Sequence, residues 1–309
     1  MTFAAVDERA HVPADAPWWW ETWHLDVATD GGVGLAVRLA CAPALGVAWW
    51  WTHLLSPDLD GPLVVRDHEV GLPRQGLEVR ADGLWGELWC ESPFEHWTYG
   101  LEAFGVMLDD PADSLRGEIG ERMPVGLDIE WEVDPSATVA RRLGASDSVD
   151  GYEQFGIAHG DVLLGRSRFE LDGAARRSHT WGVPRVDLAA RAAWLRSPAL
   201  TLSFAAVEQE SVDGCVAPNG VAAVSVSKVV SETHRRADGL PVAARHVVDD
   251  RIEIDVDVLG LVAVPIAGPD GRGAVLSRAL CRYEVGGSAL NGWSSWLDPA
   301  PSRASAVST

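Results

Sequence analysis

Apolar and polar residues alternate with a period of two along most of this chain, and tight-turn dipeptides break the alternation repeatedly. Side chains two apart share one face of an extended strand, so the pattern predicts β-structure packed against a core. The breaks are rich in Asp-Gly: Asp30-Gly31-Gly32, Asp60-Gly61-Pro62, Asp82-Gly83, Asp172-Gly173, Asp213-Gly214, Asp238-Gly239 and Pro269-Asp270-Gly271. Such pairs supply the positive φ that hairpin turns need. The alternation predicts strands near 18–28, 33–40, 46–54, 62–70, 76–81, 84–91, 95–108 and 126–133. A second series is expected near 151–163, 166–172, 175–183, 200–209, 220–230, 232–237, 242–249, 251–258, 261–267, 274–285 and 289–297. One stretch departs from the pattern. From Val186 to Arg196, Leu188, Ala192 and Leu195 recur at helical spacing and predict a short helix. Many short strands joined by Gly/Asp turns predict an all-β sandwich or barrel. Asp134 to Ser146 interrupts the alternation and reads as a connection between two halves of similar size. The expected organisation is a β-rich domain over 1–135, a linker over 136–149, a second β-rich domain over 150–298 and a disordered tail over 299–309.

Composition narrows the partners. With 47% hydrophobic and 23% charged residues, the chain has enough apolar material for a globular core. Its net charge of −20 comes from 45 acids against 25 bases, and Lys228 is the single lysine. Such a surface repels phosphate backbones and anionic lipid, so no nucleic-acid partner is expected. No apolar run reaches the roughly 18 residues of a membrane span. The amino terminus lacks a basic region followed by an apolar one, so no secretory signal is expected. Cys41, Cys90, Cys215 and Cys281 are far apart and form no C-x-x-C pair. Four such thiols without a signal suggest a reducing, cytoplasmic setting, and they read as small buried hydrophobes rather than metal or redox groups. The nine histidines are dispersed, and no spacing among them compels a metal site. P-loop, dinucleotide-binding, H-E-x-x-H and G-x-S-x-G patterns are all missing, so no phosphate-cradling cofactor or serine hydrolase is implied.

Fifteen tryptophans are present, and eleven precede residue 132. They stand beside acids and histidines in Trp18-Trp19-Trp20-Glu21-Thr22-Trp23-His24, Trp49-Trp50-Trp51-Thr52-His53, Trp85-Gly86-Glu87-Leu88-Trp89-Cys90-Glu91 and Glu95-His96-Trp97. Strand geometry puts Trp19, Glu21 and Trp23 on one face. It does the same for Trp85, Glu87, Trp89 and Glu91, for Glu95, Trp97 and Tyr99, and for Trp49, Trp51 and His53. An indole wall suits an oily ligand and can shelter a cation against its ring faces. Glu21, Glu91 and Glu95, if desolvated by such walls, are candidate proton donors. Alternatively, the tryptophans pack the core and the glutamates lie outside.

The segment Arg176-Arg177-Ser178-His179-Thr180-Trp181-Gly182, with Tyr152-Glu153-Gln154-Phe155-Gly156 upstream, resembles the R-D-H-S-W-G segment and E-Q-x-G strand of bacterial proteins related to the carotenoid hydratase/AttH family. The stretch Pro93-x-x-His96-Trp97-Thr98 is similar to the same group. The resemblance implies two consecutive lipocalin-like (calycin-type) antiparallel β-barrels. It also implies a pocket for an isoprenoid, steroid-like or polyketide ligand, and chemistry without an organic cofactor: hydration of an isolated double bond, or pericyclic ring closure. Ser178 stands where an aspartate is usual, and Asn291-Gly292-Trp293-Ser294-Ser295-Trp296 lacks an acid after its glycine.

The resulting expectation is an all-β protein of two lipocalin-like barrels that binds a hydrophobic terpenoid-like molecule. Glu21, Glu91 and Glu95 are the candidate acids, and His179 the candidate proton acceptor or water-orienting group. Trp19, Trp23, Trp51, His53, Trp85, Trp89, Trp97, Tyr99, Arg177 and Trp181 are expected to shape the pocket, in or beside the first barrel. The reaction would be hydration or dehydration, isomerisation or cyclisation. Two alternatives stay open: a carrier without chemistry, and a pericyclase working by shape alone.

Overall fold

A computed structural model describes residues 3–134, 140–143, 148–208, 211–218, 222–268 and 273–300. The expected tail beyond residue 300 and much of the expected linker lie outside the described residues. The chain is all-β, as its alternation predicts.

The first sheet contains β1 (Trp20–Ala28), β2 (Gly34–Ala42), β3 (Val47–Leu55), β4 (Leu63–Gly71), β5 (Leu77–Ala81), β6 (Leu84–Ser92), β7 (His96–Leu108), β8 (Gly120–Val133), β9 (Ala140–Arg142), β10 (Val149–Leu164) and β11 (Ser167–Gly182). Its order is β4-β3-β2-β1-β11-β10-β8-β7-β6-β5, with β9 beside β10. Leu63 and Val64 of β4 also pair with Met107 and Val106 of β7, so the sheet closes on itself. Closure removes the exposed edges that an open sheet would present. The interior is filled by side chains, including Trp23, Trp50, Trp97, Trp131, Leu25 and Ile129.

The second sheet contains β12 (Ala190–Arg196), β13 (Leu200–Val207), β14 (Ser211–Pro218), β15 (Val224–Ser225), β16 (Val229–Arg235), β17 (Pro241–Val248), β18 (Ile252–Ala267), β19 (Gly273–Val285) and β20 (Ser288–Pro299). They are ordered β15-β14-β13-β12-β20-β19-β18-β17-β16. The two outermost strands, β15 and β16, follow one another along the chain with only Val226, Ser227 and Lys228 between them. The sheet is therefore curled round on itself, over a core of Leu195, Phe204, Val229, Val256, Tyr283 and Trp296.

Three sequence expectations are corrected. The stretch read as a helix ends in strand β12, which pairs with β13 and β20. Ala193 and Leu195 face the second core while Trp194 faces the first sheet, so this strand is buried on both sides and lacks the alternation that marks a half-exposed one. Strands β10 and β11, expected to open the second half, hydrogen-bond into the first sheet through β1 and β8. The sheets therefore divide over residues 183–189 and not over 136–149. Nor is Asp172-Gly173 a turn. Gly173 lies within β11, where a Cβ would sit 2.6 Å from the Ala28 carbonyl oxygen; the glycine serves close strand approach.

A third apolar cluster joins the sheets, with Trp51 and Phe155 from the first against Trp194, Val262, Leu280 and Trp293 from the second. Trp293 Nε1 donates to the Val27 carbonyl at 2.8 Å, and Asn291 Nδ2 to that of Thr29 at 2.8 Å. The outward face of β1 is thus as buried as its inward face, and this sandwiching positions the site.

Candidate functional site

Between the sheets lies a small, open cavity of about 100 Å³. Trp18, Trp20, Trp49, Trp51 and Trp181 line it, with Thr22, Arg38 and Thr180 as its polar groups and Ile266 and Ala267 closing it from the second sheet. The indoles form a connected series. Trp18 and Trp20 have ring centroids 6.4 Å apart, Trp20 meets Trp49 edge-on at 4.6 Å, and Trp49 lies 5.9 Å from Trp51. Trp51 Nε1 donates to His68 Nε2 at 2.6 Å, and the His68 ring stacks on Trp49 at 4.4 Å. Burial, with the charge of Arg66, lowers the His68 pKa to about 4. The imidazole is therefore neutral and free to accept from the indole.

Arg38 is the one cation among these lining residues. Its guanidinium carbon lies 4.9 Å from the Trp51 ring centroid, Nη2 reaches Thr22 Oγ1 at 3.5 Å, and the buried Nε–H has no partner. Burial and the nearby Arg278 lower its pKa to about 10, so it still carries its charge at neutral pH. A buried donor without an acceptor is costly. The Arg38 side chain lines the cavity, and its guanidinium is the charged group there that can meet a ligand oxygen.

Beneath Arg38 the polar groups continue into the inter-sheet seam, centred on Asp26, which is fully buried. Asp26 takes His24 Nε2 at 2.9 Å, Trp194 Nε1 at 3.1 Å and Arg176 Nη1 at 3.5 Å, and it also accepts from Arg278 Nη2. Burial would raise the Asp26 pKa, but Arg278, His24 and Arg176 outweigh it and hold the carboxyl well below its usual range. Burial lowers His24 to about 4, aided by Arg278 and Arg38 and opposed by Asp26.

His53, expected in the pocket wall, is buried in the same region, and neither ring nitrogen has a protein partner. Burial, then Arg278 and Arg66, lowers its pKa to about 3. The unfolded chain therefore binds a proton near pH 6.5 that the folded chain refuses. Stability from His53 is complete above about pH 6.5 and falls by about 1.4 kcal/mol per unit as the pH drops toward 3. Denaturant titrations of His53→Leu between pH 7 and 4 should show a correspondingly shallower acid loss. An unchanged slope would mean His53 stays uncharged in the unfolded chain over that range or finds a partner when folded.

A second buried polar cluster lies on the opposite face of β1, inside the end of the first barrel. A short 3₁₀ turn (Ala5–Glu8) and the segment following it cover this end. Glu8 pairs with Arg177, with Nη1 to Oε2 at 3.0 Å, and Gln154 accepts from the same guanidinium. The Arg177 carbon lies 4.8 Å from the Trp131 ring centroid and 5.1 Å from that of Trp97. Beside it, Glu21 Oε1 lies 2.8 Å from His179 Nε2 and 2.7 Å from His11 Nδ1. The other ring nitrogen of His179 donates to the Asp7 carbonyl at 2.9 Å. His179 stacks on Trp23 at 4.6 Å, and His11 on Trp181 at 3.7 Å. Burial lowers the His179 pKa, opposed by Glu21.

The predicted residues therefore separate into groups. Glu21 and His179 are brought together as a hydrogen-bonded pair. Trp51 and Trp181 line the cavity. Trp19 is buried before β1, Trp23, Trp97 and Tyr99 pack the first-barrel core, and Arg177 is buried in the barrel-end cluster. Glu91 and Glu95 are exposed, contrary to expectation. Glu91 lies on the outward face of β6, and Glu95 in the turn before β7, where the register shifts between Cys90 and Ser92 and Phe94 adopts a positive φ of 64°. Trp85 and Trp89 occupy the outward face of β6; Trp89 is 52% exposed, and Trp85 donates to Glu78 Oε1 at 2.9 Å. Ser178 points into the inter-sheet seam opposite His24, so the residue at this position does not orient His179; the Asp7 carbonyl and Glu21 do. Sequence reasoning missed Trp18, Trp20, Thr22, Arg38, Trp49 and Thr180 as cavity residues. The Trp18-Trp19-Trp20 run, which places indoles on both faces of one strand, was the available signal. None of the four cysteines is in a disulfide, and no helix among the described residues is long and apolar enough to cross a membrane.

Two curled antiparallel sheets with a cavity between them define a double lipocalin-like β-barrel protein. The chain belongs to the family described as a domain of unknown function, DUF7064, whose model matches residues 4–300. Three solved structures share the fold. A protein described as AttH from Nitrosomonas europaea is 13% identical, with 92% of this chain and 94% of that one covered and a TM-score of 0.59. Kievitone hydratase from Nectria haematococca is 11% identical over 97% and 93% of the two chains, with a TM-score of 0.56. CghA with Sch210972 is 12% identical over 97% and 96%, with a TM-score of 0.55. The resemblance to the hydratase/AttH group thus holds at the level of fold. No curated protein matches the chain.

Proposed function

We propose that this protein binds a hydrophobic, terpenoid-like molecule bearing an oxygen function in the inter-sheet tryptophan cavity. It acts on that molecule as a hydro-lyase or an isomerase/cyclase. The observation that carries the reading is the single cation, Arg38, lining a cavity walled by five indoles. Arg38 donates to the ligand oxygen and stabilises negative charge that develops there as the conjugated system reacts. Thr22 and Thr180 orient the same end of the ligand, while the indole faces hold its hydrocarbon part in a folded shape and stabilise positive charge along it. The fold neighbours agree with this reaction class, since one is a hydratase by name and another holds the small molecule Sch210972.

A carrier or a shape-driven pericyclase is the second reading. What favours it is the absence of any carboxylate among the residues lining the cavity. Tryptophan-fluorescence titration with terpenoids, steroids and polyketide-like polyenes, followed by product analysis of each binder, separates the readings. Binders converted to product support the enzyme, and binders recovered unchanged support the carrier. Because Glu91 and Glu95 are exposed and outside the cavity, Glu91→Gln and Glu95→Gln should each bind and turn over within about twofold of the parent. A large loss in either variant would move the site to the β6–β7 hairpin.

A further inference from the structure

Three side chains, two from near the N-terminus and one from β11, bring metal-binding atoms together: His11 Nδ1, Glu21 Oε1 and His179 Nε2, all within 4.8 Å of one another. From this convergence we propose that His11, Glu21 and His179 form a binding site for a divalent transition-metal ion, with zinc as the best-matched ion. This inference stands apart from the reading of the tryptophan cavity, because the cluster occupies the opposite face of β1.

Two imidazoles and one carboxylate are a donor set that suits zinc, whereas magnesium and calcium prefer oxygen donors alone. The surroundings supply what such a site needs beyond its ligands. The outer nitrogen of His179 donates to the Asp7 carbonyl at 2.9 Å, which aims Nε2 at Glu21, where a bound ion would take the place of the proton shared by the nitrogen and the carboxylate. The His11 backbone N–H donates to both carboxylate oxygens, at 3.0 and 3.1 Å, and fixes the orientation of Glu21. Trp23 stacks on the His179 ring and Trp181 on the His11 ring, which limits rotation of both imidazoles. Glu21 and His179 sit on rigid neighbouring strands, at register positions Glu21↔Trp181 and Trp23↔His179. His11 comes from the irregular segment over the barrel end, and its side chain is 23% exposed.

The present nitrogen–oxygen separations of 2.7 and 2.8 Å are those of hydrogen bonds. Tetrahedral zinc with bonds of about 2.0–2.1 Å holds its donors roughly 3.3 Å apart, so the cluster must open by about half an ångström. His11, outside any strand, is the ligand able to withdraw. Three protein ligands leave the fourth position for water, as in open zinc sites. An ion here ties the N-terminal segment to β1 and β11 and holds the barrel end closed. A second group, His96, Glu130 and Glu132, also brings donors together, but both of its acids are exposed on the barrel surface.

The test uses the full chain, stripped with a chelator and titrated with Zn²⁺ or Co²⁺ by calorimetry and visible absorption. One ion per chain is expected, with the intense visible bands of four-coordinate cobalt. His179→Gln and Glu21→Gln should each weaken binding at least a hundredfold. His11→Gln should weaken it at least tenfold, and because His11 is partly exposed and outside the strands, that variant keeps the test decisive if the others misfold. His96→Gln should leave affinity unchanged. The proposal is overturned if the natively folded chain binds no stoichiometric ion, if His11→Gln binds as tightly as the parent, or if His96→Gln abolishes binding.

Discussion

Asp26→Ala is expected to destabilise the protein by about 3–5 kcal/mol, the usual cost of removing one partner from a buried ion pair. Asp26 is fully buried and gathers Arg278 and Trp194 from the second sheet together with His24 and Arg176 from the first. Without it, Arg278 keeps a desolvated charge in an apolar seam. Most of the loss belongs to that uncompensated cation and not to the pair itself. The double variant Asp26→Ala/Arg278→Leu should therefore recover part of the loss, with a coupling of about 1–3 kcal/mol in denaturant titrations. Additive losses would show that the two residues act independently. The same seam links stability to architecture, because groups from both sheets converge on the Asp26 carboxylate.

Arg38→Leu is expected to lower turnover of any ligand converted in the cavity by about a hundredfold or more, the scale seen when one charge-stabilising donor is removed. Binding should fall much less, because the indoles that bury the hydrocarbon part are untouched. Arg38→Lys should rescue only partly: a lysine keeps the charge but loses the planar fork and its stacking on Trp51. Steady-state kinetics with fluorescence-derived affinities would separate the two effects. Equal loss of binding and turnover would assign Arg38 to ligand capture, and unchanged turnover would remove it from the chemistry.

How much of this was legible in the chain depends on the residue. Period-two alternation located nearly every strand, since a strand with one face on a core must alternate. It failed at β12, which is buried on both faces, at the short β9, and at β14, where the expected Asp213-Gly214 turn lies inside the strand. Gly173 misled for another reason: Asp-Gly usually marks a turn, yet here the glycine admits a neighbouring backbone. Glu21 and His179 were both singled out and do meet, although 158 positions separate them. Arg38 went unremarked, even though it is the one charged residue in the otherwise apolar strand Gly34–Ala42, a signal that a buried guanidinium had a task there. Glu91 and Glu95 looked equivalent to Glu21 by spacing, but Glu91 lies on the outward face of β6 and Glu95 in the turn before β7.

The alternation and turns alone determined that this chain folds as β-sheet, because side-chain period and turn chemistry act over a few residues. Composition determined the apolar cores and the acidic surface. Only tertiary structure decided which face of β1 met which partner. Pairing of β1 with β11 joined Glu21 to His179, and His11 reached them as the N-terminal segment folded over the barrel end. Docking of the second sheet turned Trp20, Thr22 and Arg38, which would otherwise face solvent, into a cavity wall. These contacts join residues far apart in sequence, and no local pattern encodes which two surfaces will close on each other.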